Sequence, residues 1–397
     1  MKTSASPHNK NPLKTRDVIQ ITCPRGLGPL LEEEVRALGM EPLEPGASTV
    51  SVRGGIEEAM LLNMRLRTAN SVLTELFSFR AADADALYRN VSSFPWEDII
   101  EPHGYVSITS NVDNPTIRDT RIASLRFKDA LVDRMKARRG RRPDSGPDRR
   151  SAVFHLRWRG QDCSVFADTS GEPLSKRGYR KLTGPAPLRE GLAAALVLFT
   201  GWRGQGAFIN PMCGSGTLAI EAALIALNKA PGLLRSNYGF MHLKGFDRAA
   251  WERIRKDASS MAARDIPGRI IASDMDPQAV DAARKNARTA GVEQHIEFAV
   301  ADFAETEVPE GQGVVVMNPP YGERLGQENA LEALYERMGD FMKHRCTGKS
   351  GFIFTGNPSL AKRIGLRTMS RTELYNGPIE CRLLRYDLYE GTRKHKP

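Results

Sequence analysis

The chain has 397 residues, with 57 Lys and Arg against 47 Asp and Glu, a formal net charge of +10 and a pI near 9.4. This length allows two or three domains with separate cores, and the basic balance favours a polyanionic partner without identifying it. Five scattered cysteines, Cys23, Cys163, Cys213, Cys346 and Cys381, form no C-x-x-C pair and have no histidine at ligand spacing, so no metal is expected and free thiols in a reducing cytosol fit.

The first 16 residues are basic and polar, with no apolar stretch behind them to act as a signal-peptide core, and are expected to be a disordered lead-in. No apolar run approaches the roughly 18 residues needed to cross a bilayer, so no membrane partner is expected. Residues 17–80 read as strand, helix, strand, helix, strand. Leu30, Leu31, Val35 and Leu38 recur at helical spacing and Gly39 closes that helix. Residues 81–170 repeat the mixture with a helix in TRIASLRFKDALVDRMKARR and strands in YVSITSNV, AVFHLRW and DCSVFADTS, which makes a second α+β unit.

Two basic clusters lie in and after that unit. KARRGRRPDSGPDRR, residues 136–150, holds Arg138, Arg139, Arg141, Arg142, Arg149 and Arg150 among Gly, Pro and Ser, as a mobile loop would. It is either a solvated face or a phosphate-contacting segment. SKRGYRK contains Lys176, Arg177, Arg180 and Lys181 around Tyr179. TGPAP then breaks the chain, so residues 171–187 are expected to be a linker.

From residue 188 to 397 helices alternate with fully apolar strands, AFIN, RIIAS, IEFAV, VVVM and SGFIFT, the pattern of a parallel sheet covered on both faces. The segment TELYNGPIECRLLRYDLYE reads as a terminal hairpin. In NPMCGSGTLAIEAA a strand gives way to a glycine turn and a helix. Gly214 and Gly216 let the backbone turn sharply and approach a ligand, although the same glycines serve a purely steric turn equally well. No Gly-Lys-Ser/Thr follows, so a phosphate-binding P-loop is disfavoured.

The next strand ends in Ser273-Asp274-Met275-Asp276-Pro277. Asp274 is the candidate ribose ligand, while Asp276 before Pro277 reads as a helix N-cap. The third ends in Asp302 and Phe303, a carboxylate able to accept from an adenine amino group and a ring able to stack. The fourth empties into NPPYGERL. Here the Asn318 side chain and the Pro319 carbonyl can each accept one N–H of a planar exocyclic amine, beside the stiff backbone of Pro319 and Pro320, and Tyr321 offers a stacking face. Acid, acid and NPPY thus occupy successive strand ends on the edge where open α/β sheets bind ligands.

RGYR, NPMCGSGTLAIEAA, APG, SDMDPQAVDAARKNARTAG, NPPYGERL and NGPIEC together resemble the guanine-N2 methyltransferases of large-subunit ribosomal RNA, over nearly the whole chain and most strongly from about residue 168. The resemblance implies a Rossmann-like, doubly wound α/β methyltransferase domain at residues 188–397 that uses S-adenosyl-L-methionine. It also implies a ferredoxin-like α+β segment at 17–80 and a THUMP RNA-binding domain at 81–170. Asn210, Met212, Cys213, Gly214, Ser215 and Gly216 would surround the methionine part of the cofactor and Asp274 its ribose. Met275, Asp302 and Phe303 would form the adenine pocket, and Asn318 to Tyr321 would hold the target base. Thr183 to Leu188 would close over the cofactor. Arg138, Arg139, Arg141, Arg142, Lys176, Arg177 and Arg180 are the candidate RNA contacts.

The reaction implied is direct in-line methyl transfer to guanine N2 in 23S ribosomal RNA, in the cytoplasm, with RNA as partner. Some bacterial relatives continue into a second methyltransferase domain, whereas this chain ends shortly after NGPIEC, so one modification activity is expected. A transfer-RNA guanine-N2 enzyme would share the same modules. NPPY also grips the amine of adenine N6 or a glutamine amide, and a rival from another class is a non-catalytic RNA-binding assembly factor, since THUMP-like modules bind without chemistry.

Overall fold

The computed structural model describes residues 17–43, 46–117, 119–180, 188–321 and 328–389. The expected lead-in, Lys181, Thr183 with the rest of the closing segment up to residue 187, and Gly322 to Leu325 of the NPPY motif lie outside the described residues. The chain divides into two compact units. One comprises Met1–Cys23, Gly28–Leu174 and Arg235–Ala258, the other Pro24–Leu27, Ser175–Leu234 and Ser259–Pro397.

In the first unit the elements follow the sequence pattern closely. β1 (Asp17–Thr22), α1 (Gly28–Ala37), β2 (Thr49–Gly54), α2 (Ile56–Arg65) and β3 (Ser71–Arg80) come first. α3 (Ala84–Ser93), β4 (Tyr105–Asp113), α4 (Thr120–Arg139), β5 (Asp144–Ser145), β6 (Ala152–Arg159) and β7 (Asp162–Asp168) follow. The two α+β segments that read as separate in the sequence share one sheet, ordered β2-β1-β3-β7-β6-β4-β5. β3 joins them by pairing antiparallel with β7 through an irregularity between Glu75 and Phe77. A buried polar network closes the junction. Asn63 Nδ2 donates to Thr169 Oγ1 at 2.9 Å, Ser170 Oγ to Asn63 Oδ1 at 2.6 Å, and Thr169 Oγ1 to the Val72 carbonyl at 2.7 Å. Each buried polar atom so paired escapes the desolvation cost of an orphan.

One stretch of this unit arrives from within the other unit's sequence. In Arg235–Ala258, Tyr238, Phe240 and Trp251 pack ring against ring, and the Phe240 amide donates to the Thr169 carbonyl at 3.0 Å. Arg235 donates to the carbonyls of Ser170, Glu172 and Pro173. The helix here, α7 (Arg248–Ser260), falls in a region to which the sequence pattern assigns no element.

In the second unit the strands are β8 (Ala207–Pro211), β9 (Arg269–Asp274), β10 (Glu297–Val300), β11 (Gly313–Met317), β12 (Ser350–Thr355), β13 (Ser370–Asn376) and β14 (Ile379–Asp387). Their order is β10-β9-β8-β11-β12-β14-β13. Pairing is parallel from β10 to β12 and antiparallel for β12 with β14 and for the β13–β14 hairpin. The helices α5 (Glu190–Thr200), α6 (Thr217–Ala226), α8 (Pro277–Ala290), α9 (Glu328–Arg345) and the short α10 (Pro358–Arg363) complete the unit. Ile209, Val315, Met317 and Ile353 pack in one core with Tyr335, Met338 and Met342 of α9. Their sequence neighbours Phe208, Val314 and Val316, also buried, point to the opposite face because side chains alternate along a strand. Both faces are therefore covered, which explains why these strands read as continuous apolar runs.

All five cysteines are free and buried, and among the described residues no helix is long and apolar enough to cross a membrane. Trp96 is the packing hub of the first unit. Its indole meets Phe77, Phe94, Phe127 and Phe154 edge to face and donates Nε1–H to the Val91 carbonyl at 2.8 Å. Trp96→Ala is expected to lower the stability of this unit by about 3–5 kcal/mol, measured as a displaced midpoint in urea unfolding.

Candidate functional site

β8 sits between β9 and β11, so the chain winds outward from it in both directions. At that reversal the loops leaving the carboxyl ends of β8 and β11 diverge, which opens a crevice. Asn210 near the end of β8 and Asn318 just past β11 stand at this point. Asn210 is fully buried and donates Nδ2–H to the Val316 carbonyl at 2.9 Å, tying the two strand tips together. Its Oδ1 is buried and has no hydrogen-bond partner among the described residues.

The loop after β8 is strained and held. Met212 has φ of 70°, a region L-residues avoid at a cost of about 1–3 kcal/mol, and such outliers cluster at functional sites. The Cys213 amide donates to the Ser273 carbonyl at 2.8 Å, and burial pushes the Cys213 thiol well above its ordinary value, so it is a buried neutral group. The Gly214 amide donates to Asp274 Oδ2 at 2.9 Å, while Asp274 Oδ1 accepts from the Asp276 amide at 3.1 Å. Asp274 thus stands at the end of β9 oriented by two backbone donors. Asn286 of α8, itself buried, secures the Ser215 carbonyl at 3.1 Å. Asp276 caps α8 by accepting from the Gln278 amide, with Pro277 in the first turn, as its sequence context indicates.

The two glycines do different jobs. A Cβ built on Gly214 would meet nothing within 4 Å, so open space lies over it, whereas one on Gly216 would fall 2.8 Å from Ala283 Cβ of α8. Gly216 serves helix packing at the start of α6; Gly214 leaves room above the turn.

Met275 is 74% exposed, an apolar side chain free to lie against a planar ligand. Phe303 is not: it is 5% exposed, its ring edge-on to Phe341 and covered by the Arg337 guanidinium at 4.9 Å. This corrects the expectation of a stacking ring, because the ring is spent in the core against α9. Asp302 Oδ1 accepts from the Ala304 amide at 2.9 Å and from Arg337 Nη2 at 2.9 Å. Against a desolvation that raises it, these donors hold its carboxyl below the usual carboxylate range. It is an anion at neutral pH with one oxygen already engaged.

The NPPY loop is braced from behind. Tyr335 of α9 donates to Thr355 Oγ1 or accepts from it at 2.8 Å, and reaches the Pro320 carbonyl at 3.4 Å. The Tyr321 hydroxyl accepts from Asn376 Nδ2 at 2.9 Å and lies 3.8 Å from Cys381 Sγ. Burial pushes that phenol up to about 12, so it stays neutral. The ring stands edge-on to Phe354. Asn376 and Cys381 belong to NGPIEC, legible in the sequence as part of a hairpin and of the family resemblance; its role as the clamp on Tyr321 needs the fold. Asn318 Oδ1 is buried and has no hydrogen-bond partner among the described residues. A buried carbonyl oxygen without a donor costs about 1–3 kcal/mol, so an acceptor is held ready here.

The basic residues divide. Arg138 and Arg139 form the last turn of α4, with Arg141 and Arg142 just after Gly140, which ends the helix at φ 70°; all four are exposed. The expected mobile loop is instead partly ordered, since β5 pairs parallel with β4 and Arg149 is committed to Asp168 at 2.6 Å. Cations also suit a helix carboxyl end electrostatically. Lys176 is exposed. Arg177 is 1% exposed, with Nε 3.5 Å from Glu221, which also accepts from the Tyr179 hydroxyl at 3.2 Å. Arg180 is mostly buried, paired with Glu190 at 3.3 Å and bonded to the Leu188 carbonyl. Arg177 and Arg180 are therefore engaged in structural ion pairs, a correction with a plain cause: the acids that neutralise them, Glu221 of α6 and Glu190 of α5, are brought to them by the fold.

Comparison with known proteins extends this picture. Residues 177–385 match the RMKL-like methyltransferase domain, residues 19–73 the RlmL ferredoxin-like domain and residues 81–168 the THUMP domain. A Syntrophotalea carbinolica protein named ribosomal RNA large subunit methyltransferase K/L is 39% identical over 93% of the chain and 53% of its own length. A Synechocystis sp. protein provisionally named as an RNA methyltransferase is 34% identical over 93% of the chain and 96% of its own length. The chain spans about half the length of the curated K/L relatives it matches. The solved structure of SMU.472, described provisionally as a methyltransferase and complexed with SAH, superposes with a TM-score of 0.84 at 28% identity, covering 96% of this chain and 100% of that one.

The contrast between the two glycines can be measured. Gly214→Ala is expected to cost about 1–2 kcal/mol, the penalty of a left-handed L-residue. Gly216→Ala adds overpacking of about 1–3 kcal/mol and should give the larger fall in melting temperature.

Proposed function

The chain belongs to the RMKL-like methyltransferase family, and we propose that it methylates the exocyclic N2 of a guanine in large-subunit ribosomal RNA with S-adenosyl-L-methionine as donor. The observation that carries the reading is the buried, unpartnered Asn318 Oδ1 at the strand-order reversal, across from the glycine turn that Asp274 holds.

The residues present suit this donor. Open space over Gly214 admits a ligand close to the backbone, the Asp274 carboxylate stands where a ribose diol would be met, and the exposed Met275 offers a face to adenine. Gly214, Ser215, Asp274, Met275 and Asp302 would hold it, with Phe303 limited to its main chain. S-adenosyl-L-methionine supplies an electrophilic methyl group on a sulfonium.

The rest falls to the chain's own groups. The guanine amino lone pair is delocalised into the ring and is a poor nucleophile. Asn318 Oδ1 and the Pro319 carbonyl accept its two N–H bonds, which fixes the nitrogen and turns the lone pair in line, so that orientation supplies much of the acceleration. Tyr321, held by Asn376 and Cys381, replaces the stacking partner that an extruded base loses. The methylated nitrogen then sheds its proton toward solvent, and no strong base is needed. Arg138, Arg139, Arg141, Arg142 and Lys176 supply exposed cations for the RNA backbone, and the buried free cysteines suit a reducing cytoplasm.

Asn318→Ala should bind S-adenosyl-L-methionine like the wild type while methyl transfer falls by about 10²-fold or more; unchanged turnover would remove Asn318 from the chemistry. Nucleoside analysis of methylated ribosomal RNA reads the target atom, and N6-methyladenosine in place of N2-methylguanosine would overturn it. Replacing Arg138, Arg139, Arg141 and Arg142 with Gln should weaken RNA binding and flatten its salt dependence. An unchanged salt slope would return them to the role of helix-end cations.

A further inference from the structure

Beside the NPPY loop, in the same unit, lies a separate cavity of about 470 Å3, within the size range of ligand pockets. It shares its supports with the loop. Gly356 lines it, and a Cβ on Gly356 would stand 3.0 Å from the Tyr321 ring. Thr355 lines it and bonds Tyr335, which reaches Pro320. Glu380 lines it one residue from Cys381, which touches the Tyr321 hydroxyl. The cavity therefore lies at the carboxyl end of β12, one strand over from Asn318 at the end of β11.

Its charge is one-sided. Lys362, Arg367, Arg371 and Arg382 face one acid, Glu380, and Glu380 is paired with Arg382 at 3.5 Å. Lys362, Arg367 and Arg371 are exposed, and their side chains have no hydrogen bond or ion pair with any described residue. Three cations crowded round one concavity repel each other, and a bound anion relieves that repulsion. Leu366, only partly buried, adds an apolar wall, so the surface suits a group with a charged end and a flat or apolar body. An acidic side chain has the first and lacks the second.

We propose that this cavity receives the nucleotide adjoining the target guanosine in an unpaired RNA segment, its phosphate on Arg367 and Arg371 and its sugar and base against Leu366. The proposal rests on the methyltransferase reading above. Extruding a base splays the backbone beside it and strips its neighbours of stacking, and contacts to those neighbours set which sequence context an enzyme accepts. A cavity sharing a wall with the ring that holds the target is placed for that contact.

The test is direct binding of a labelled single-stranded oligoribonucleotide, with S-adenosylhomocysteine present, to the wild type, the R367Q/R371Q variant and K362E. R367Q/R371Q should bind about 10-fold or more weakly. Its salt slope should be lower by about 0.7, the share of the single phosphate that the two side chains no longer neutralise on a single strand. K362E should shift affinity the same way. Melting temperature and S-adenosylhomocysteine affinity should match the wild type, since all three side chains are exposed and lie outside the cofactor site. Equal affinity and slope for the wild type and both variants would overturn the proposal. So would an acidic peptide that displaces the oligonucleotide from the wild type and fails to bind the variants. Because binding is read without turnover, a wild type that bound through these residues yet methylated no RNA would refute the guanine-N2 reading and leave this site standing.

Discussion

The parallel pairing of β8 with β9 on one side and β11 on the other is the constraint on which the site depends. Two strands that leave a common neighbour in opposite directions cannot send their loops over the same ground, so a gap opens at their carboxyl ends. Into that gap the chain delivers the glycine turn after β8, Asp274 after β9 and Asn318 after β11. The Asn210–Val316 hydrogen bond spans the point of divergence and sets how far apart the two strand tips stand. With the β8–β11 ladder it gives the strained turn at Met212 and the acceptor at Asn318 a common frame.

Around that frame the chain accepts local costs and fixes them by rigid support. Met212 sits at positive φ, and both Asn210 Oδ1 and Asn318 Oδ1 are buried without donors among the described residues. Each is unfavourable alone and is tolerated because its neighbours are over-determined. Cys213 is held by Ser273, Gly214 by Asp274 and Ser215 by Asn286, while Tyr321 is held by Asn376. Arg177, Tyr179 and Glu221 form a fully buried ionic cluster that would be costly to break by removing one partner. Arg180 bonds the backbone at Leu188, so the flanks of residues 181–187 are joined through a side chain.

Much of this is legible in the sequence. Strand and helix positions follow from period-2 and period-3.6 patterns, because both faces of the second sheet are covered and its strands have to be apolar throughout. The order of the glycine turn, the acids and NPPY can be read because each follows its strand directly. Single-residue roles are less accessible. Phe303 and Arg177 carry the right chemistry for stacking and for phosphate, yet Phe341 and Arg337 enclose the first and Glu221 neutralises the second. Those partners lie about 35–45 residues away, beyond the reach of any local pattern.

By itself the sequence determined the strand-and-helix grammar, the family resemblance and the chemical types at each strand end, since these depend on neighbours a few residues apart. Tertiary structure alone decided that two α+β segments share one sheet, that Arg235–Ala258 joins the first unit and that NGPIEC clamps Tyr321. It also decided which cations remain exposed and which are consumed by acids. The physical reason is that burial and pairing are properties of residues brought together by folding, and a hydrogen bond or ion pair formed across roughly 50 or 100 residues leaves no period in the chain that makes it.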